Sequence, residues 1–236
     1  MKQIAIFIHL YQTGDWKNIY TEQITKLQES GLLDAASFVF LGVNGSEDLP
    51  IKNDKIRVFR NDIYGIESAE TYTLKALYDY SFLKDDVNIL YMHVKGVTWS
   101  NFNSDDADRK RIYENTQYWR RYLEFFLVEN WTTCVNLLDS HEVVGTEWNS
   151  YSQFGGFGFC ERANFGGNMW WSNTEYIKKL DVNFIINNLM IGRYAHELWI
   201  CTKNPNKYNF YSSNKNLYFE PILEQEYKHI MENFNK

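Results

Sequence analysis

Tyr91, His93 and Lys95 alternate along the apolar run Asn88–Val94 and its exit, and Gly96 follows directly. If the run is a strand, these three share one face while Leu90, Met92 and Val94 take the other. Lysine is a mobile point charge suited to a diphosphate, and a neutral imidazole can ligate Mn²⁺ or donate to a phosphate oxygen. Gly96 would let a ligand approach the backbone. The plain alternative is a strand leaving its sheet through a polar turn.

A second group lies in Asn164–Trp171, where Gly166 and Gly167 precede Asn168, Trp170 and Trp171. The glycines permit close backbone approach, Asn168 carries a donor and an acceptor, and the indoles are flat surfaces of the kind pyranose rings prefer. Two adjacent tryptophans on a strand are not expected to share one core, so one of them is assigned to a ligand unless the segment is a half-covered edge strand. Third, Arg193 and Glu197 stand at i and i+4, which suits a helix ion pair and also leaves Glu197 as a general base. His196 falls on another helical face and is not paired with Glu197. Asp105, Asp106 and Asp108 match no complete calcium loop and suit a helix N-terminus.

The elements that must position these groups alternate through the first half. Lys2–Tyr11 reads as a strand buried on both faces, Trp16–Ser30 as a helix closed by Gly31, Ala36–Val43 and Lys55–Arg60 as strands, Glu67–Phe82 as a helix and Val87–Val94 as the fourth strand. Such βαβ order implies a mostly parallel sheet that binds ligands at its carboxyl ends. Further on, Arg111–Leu138 reads as one long amphipathic helix, Glu142–Gly145 as a strand, Gln153–Phe159 as an aromatic, glycine-rich loop, Val182–Thr202 as a helix and Glu224–Phe234 as a terminal helix.

Composition narrows the function classes. The 236 residues are 44% hydrophobic and 17% aromatic, with only three prolines, enough for a full core in one domain. A net charge of −6 speaks against a nucleic-acid binder. Three cysteines, Cys134, Cys160 and Cys201, show no C-x-x-C spacing and fit reduced thiols in a cytoplasmic protein. No window reaches the ~20 apolar residues of a membrane span, and no secretory signal is visible. Phosphate-loop, dinucleotide, zincin and nucleophile-elbow motifs are all absent.

Several segments together resemble one family. Gly14-x-Trp16-x-x-Ile19-x-x-Glu22-Gln23, Glu70-x-x-Thr73-Leu74, Leu90-Tyr91-x-His93-x-Lys95-Gly96, Trp119-Arg120, Phe165-x-Gly167-Asn168-x-Trp170-Trp171 and Arg193-x-x-x-Glu197-x-Trp199-Ile200 look like the small GT-A-type glycosyltransferases of large DNA viruses and bacterial surface-glycan loci. The resemblance spans about residues 1–203 and implies a single GT-A-like, Rossmann-like α/β domain with a mostly parallel sheet of about six strands. Residues 1–100 would form a nucleotide-binding half, 101–203 a sugar and acceptor half, and 204–236 an extension. It further implies transfer of a sugar from a nucleotide-diphosphate donor, UDP-linked by preference, to a glycan acceptor, with Mn²⁺ or Mg²⁺ assisting, in a cytoplasmic protein (the host cytoplasm if viral).

On that resemblance His9, Tyr11, Glu70, Thr73, His93, Lys95 and Gly96 would hold the nucleotide and diphosphate, and His93 a metal. Trp119, Arg120, Gly167, Asn168, Trp170 and Trp171 would shape the sugar and acceptor pocket, and Glu197 would be the base. The family's Asp-x-Asp is replaced here by His93-Val94-Lys95, so either His93 ligates the metal or Lys95 does the metal's work. The rival readings are a catalytically silent carbohydrate-binding or assembly protein of the same fold, and a metal-dependent phosphoesterase using His93 with aspartates.

Overall fold

The computed structural model describes residues 2–60, 70–102, 106–149, 163–187 and 194–234. The strands are β1 (Gln3–Tyr11), β2 (Phe38–Asn44), β3 (Ile56–Arg60), β4 (Val87–His93), β5 (Val143–Gly145), β6 (Trp148–Asn149), β7 (Asn164–Phe165), β8 (Trp170–Asn173) and β9 (Lys207–Asn209). The α-helices are α1 (Trp16–Glu29), α2 (Leu32–Ala35), α3 (Thr71–Leu83), α4 (Ala107–Glu124), α5 (Trp131–Leu137), α6 (Thr174–Ile177), α7 (Asn183–Asn187), α8 (Tyr194–Trp199) and α9 (Glu224–Phe234).

Seven strands form the central sheet in the order β3-β2-β1-β4-β8-β5-β9, one more than expected, and β6 pairs with β7 in a separate ribbon. Only β8 runs against its neighbours. The chain steps from β1 outward to β2 and β3, then returns to place β4 on the other side of β1. The order therefore reverses between β1 and β4, where the strand carboxyl ends open a crevice. His9 and His93 lie in register there.

Alternation along the strands feeds two cores. Ile4, Ile6, Ile8 and Leu10 of β1 and Leu90 and Met92 of β4 pack with α1 and α4, while Ala5, Phe7, Ile89 and Tyr91 pack with Leu74 and Leu77 of α3 on the opposite face. The sheet is thus covered on both sides, which explains strands that read as nearly continuous apolar runs.

The same two-sided covering corrects the expectation for the paired tryptophans. Both are fully buried, Trp170 in the α3 core and Trp171 in the α1/α4 core, because β8 is an interior strand. The long helix expected over 111–138 begins earlier, at Ala107, and is broken by a π turn over Phe125–Glu129 and a new start at Trp131. Asp106 caps α4 by accepting from the Arg109 N–H at 2.9 Å, in line with the helix-N-terminal reading of the acidic cluster. The helix expected over 182–202 is described only as α7 and α8. Gln153–Phe159, Cys160, Asp105, Glu67–Ala69 and Arg193 lie outside the described residues. Among the described residues no helix is long and apolar enough to cross a membrane.

Candidate functional site

The start of α3 is the organising element. It points its N-terminus at the carboxyl ends of β1 and β4, and its N-cap residue and two residues of its first turn each meet one histidine. Glu70 Oε1 lies 3.2 Å from His93 Nδ1. Thr71 Oγ1 lies 2.6 Å from His196 Nε2, and Thr73 Oγ1 lies 3.0 Å from His9 Nδ1. Three of the five histidines in the chain thereby converge on one helical turn. Room for Thr73 comes from Gly42 on β2, the register partner of His9, since a Cβ there would sit 2.1 Å from Thr73 Oγ1.

Glu70 is held from every side. Its Oε2 accepts from the Tyr91 hydroxyl and from Asn168 Nδ2 at 2.6 Å. Asn168 is in turn fixed by Trp170, whose Nε1–H donates to Asn168 Oδ1 at 3.0 Å. Burial pushes the Glu70 carboxyl up, but the charge and hydrogen bond of His93, with His196 and His9 behind, outweigh it and hold the group well below the usual carboxylate range. An anion at a helix N-terminus also meets the positive end of the helix dipole. The Tyr91 hydroxyl moves the other way: burial, then Glu70 and finally Glu197 raise it well above its ordinary value. His9 is lowered to about 4, first by burial and then by His93 and His196 against the pull of Glu70.

These contacts set the His93 tautomer. A carboxylate only accepts, so Nδ1 carries a hydrogen, and in the neutral ring the lone pair is then on Nε2. Nε2 is buried and has no hydrogen-bond partner among the described residues, although the ring as a whole keeps 16% of its surface exposed.

Lys95 leaves the line of Tyr91 and His93. β4 ends at His93, and the turn beyond carries Lys95 to the α4 side, where its Nζ lies 3.7 Å from the centroid of the Trp119 ring and 5.3 Å from that of Tyr218. The ammonium has no carboxylate partner among the described residues, and the side chain is 6% exposed. The Trp119 Nε1–H beneath it is also buried without a partner. The loop is anchored from below: Gln23 Nε2 donates to the His93 carbonyl at 3.0 Å and Arg120 Nη1 to the Lys95 carbonyl at 3.3 Å.

Other expected site residues have structural places. Glu70 and Thr73 contact histidines, and a buried carboxylate repels phosphate. Gly96 has φ +91°, and a Cβ there would be 2.4 Å from Thr116 Oγ1, so glycine is required by the approach of α4 rather than by a ligand. Gly167 likewise makes room for Leu123 and Trp119. Arg120 is 1% exposed and paired with Glu22 and Glu124, unreachable for an acceptor. Trp171 donates to the Leu127 carbonyl at 2.8 Å, deep in the core. Tyr11 is half-buried at the end of β1 beside Asn44. Glu197 stands half-buried on α8, within electrostatic reach of Tyr91.

His93 does not find the company a metal needs. Among the described residues no group of three or more His, Cys, Asp or Glu side chains is arranged to hold a metal ion. The donor set present does not fit resident Mn²⁺ or Mg²⁺, because Glu70 spends both oxygens on His93, Tyr91 and Asn168. The sequence assigned no site role to His196, Thr71 or Gln23, whereas the parity of Tyr91 with His93 had already put Tyr91 on the histidine face.

No family model matches this chain, and no curated protein matches it. Among solved structures, the bifunctional IspDF from Campylobacter jejuni matches 96% of the chain at 8% identity and a TM-score of 0.46, and this chain spans about half, 53%, of that protein. A 4-diphosphocytidyl-2C-methyl-D-erythritol synthase matches over 100% of this chain and 99% of its own at 9% identity and a TM-score of 0.40. With Arg120, Trp170 and Trp171 in the interior rather than lining a sugar pocket, the expected transfer of a sugar from a UDP-linked donor to a glycan is corrected.

Proposed function

We propose that this protein binds a nucleotide at the carboxyl ends of β1 and β4 and transfers its nucleotidyl group, releasing pyrophosphate. The observation that carries the reading is Lys95: a buried ammonium on the loop leaving β4, stacked on Trp119 and facing no carboxylate among the described residues. A cation–π contact is worth ~0.5–2 kcal/mol, less than a charge-assisted bond to phosphate in the same surroundings. A phosphate chain is therefore the partner that this cation lacks, and the switch point is where an open α/β sheet offers room for one. The Trp119 Nε1–H in the ring beneath it is a further buried polar atom with no hydrogen-bond partner among the described residues. In transfer at phosphorus the protein's share is positioning and charge neutralisation, for which Lys95 is suited.

The test is a thermal-shift series of nucleosides and their mono-, di- and triphosphates with Mg²⁺. Ligands that bind only the native state stabilise it as ln(1 + [L]/Kd). Di- and triphosphates should raise Tm and the bare nucleosides should not, and Lys95→Met, which keeps the apolar stem over Trp119, should abolish the shift. Absence of any nucleotide-dependent shift in the unmodified protein would refute the reading.

A further inference from the structure

Resting on that reading, we infer that His93 Nε2 is the general base of the transfer, positioned by Glu70, and that the acceptor is therefore a hydroxyl compound rather than a phosphate ester. Glu70 Oε1 fixes the hydrogen on Nδ1 at 3.2 Å, and Glu70 is itself immobilised by Tyr91 and Asn168. In the neutral ring the lone pair then lies on Nε2, a buried atom with no hydrogen-bond partner among the described residues. His9 and His196 are each engaged by a threonine of α3, whereas His93 is held by the Glu70 carboxylate.

The acceptor class follows from proton accounting. A hydroxyl must lose a proton as its oxygen bonds to phosphorus, whereas a phosphate monoester is already an anion near neutrality and needs no base. In the step, the acceptor O–H proton passes to His93 Nε2, and the oxygen lone pair forms the new bond to the α-phosphorus. The bond from that phosphorus to the bridging oxygen breaks, and pyrophosphate leaves with the electron pair, its charge met by Lys95. The imidazolium returns its proton to solvent after release. Glu70 acts only through His93, as a positioning residue that holds the tautomer and stabilises the imidazolium.

The experiment measures nucleotide binding and pyrophosphate release separately, with water, glycerol and methyl phosphate as acceptors. Glycerol should accelerate release over water, and methyl phosphate should not. His93→Gln should bind nucleotide within about threefold of the unmodified protein while release falls about 10²–10⁴-fold, the range of general base catalysis. Glu70→Gln should keep binding and slow release with KM little changed, and Glu70→Asp should restore part of the rate. Nucleotide binding with undiminished release in His93→Gln, or preference for methyl phosphate, overturns the base assignment alone. Failure of the unmodified protein to bind any nucleotide overturns the parent reading and this one together.

Discussion

Nδ1 of His93, at the last residue of β4, lies 3.2 Å from Oε1 of Glu70, the residue that opens α3. This contact joins a strand end to a helix start across the switch point, and the neighbouring turn repeats the device with Thr71 to His196 and Thr73 to His9. One helical turn therefore orients three imidazoles. The histidines shield the Glu70 charge, and Glu70 together with the threonines fixes the ring positions.

Asn168→Asp tests how closely the Glu70 carboxylate is held. Asn168 sits at φ +47°, which Asp tolerates, and its Nδ2 donates to Glu70 at 2.6 Å. Aspartate would replace that donor with a second carboxylate in a buried place. We expect a loss on the order of 3 kcal/mol at pH 7 by urea unfolding, shrinking as pH is lowered and one carboxyl takes a proton. Equal destabilisation at pH 4.5 and pH 8 would contradict this picture of Glu70.

The acid side of the stability curve should carry His9. Its folded value, about 4, is below the ordinary 6.5, so the folded state binds fewer protons than the unfolded state between these limits. Stability then rises with pH through that window and is fully present above it, with an amplitude on the order of 3 kcal/mol. His9→Gln keeps a group able to meet Thr73 and should flatten the rise between pH 4 and 6.5. An unchanged slope in the variant would show that other groups set it.

Much of this arrangement could be read in the chain before its structure. The first four strands along the chain and the shared face of Tyr91 and His93 followed from periodicity, because alternation survives whatever the tertiary contacts. Lys95 did not, since its direction depends on where β4 stops, and a turn after His93 sends it to α4. Trp170 and Trp171 were misread for a related reason: a strand inside a sheet covered on both faces buries both parities, and nothing local distinguishes it from an edge strand. His196 and Thr71 meet across 125 positions of chain, a pairing that no spacing rule reaches.

Gly96→Ala separates a packing glycine from a ligand-binding one. With φ +91° and a Cβ 2.4 Å from Thr116 Oγ1, the substitution combines backbone strain with overlap. The expected cost is at least about 2 kcal/mol by chemical denaturation. Thr116→Gly in the same chain should recover only the overlap part, because the positive φ remains. Full recovery in the double variant would mean that backbone strain at Gly96 contributes nothing.

Glu124 should give the opposite pH trend to His9. Burial raises its carboxyl to about 7, against the pull of Arg120, whose Nε lies 3.6 Å from Glu124 Oε1. Both of those atoms lack a hydrogen bond, so the pair is buried but poorly matched. Because the folded value exceeds the ordinary carboxylate value of 4.5, the folded state binds more protons between pH 4.5 and 7. Stability from this group is fully present below pH 4.5 and is lost as pH rises through 7. Glu124→Gln removes the titration while keeping the shape, so the variant should match the unmodified protein near pH 4.5 and exceed it at pH 8 in urea unfolding. Since Arg120 also holds the Lys95 carbonyl, nucleotide affinity in the variant should lose whatever pH dependence this pair imparts between pH 6 and 8. A Glu124→Gln protein less stable at pH 8 than at pH 5, by the same margin as the unmodified chain, would show that Glu124 is already ionised throughout and that Arg120 outweighs burial.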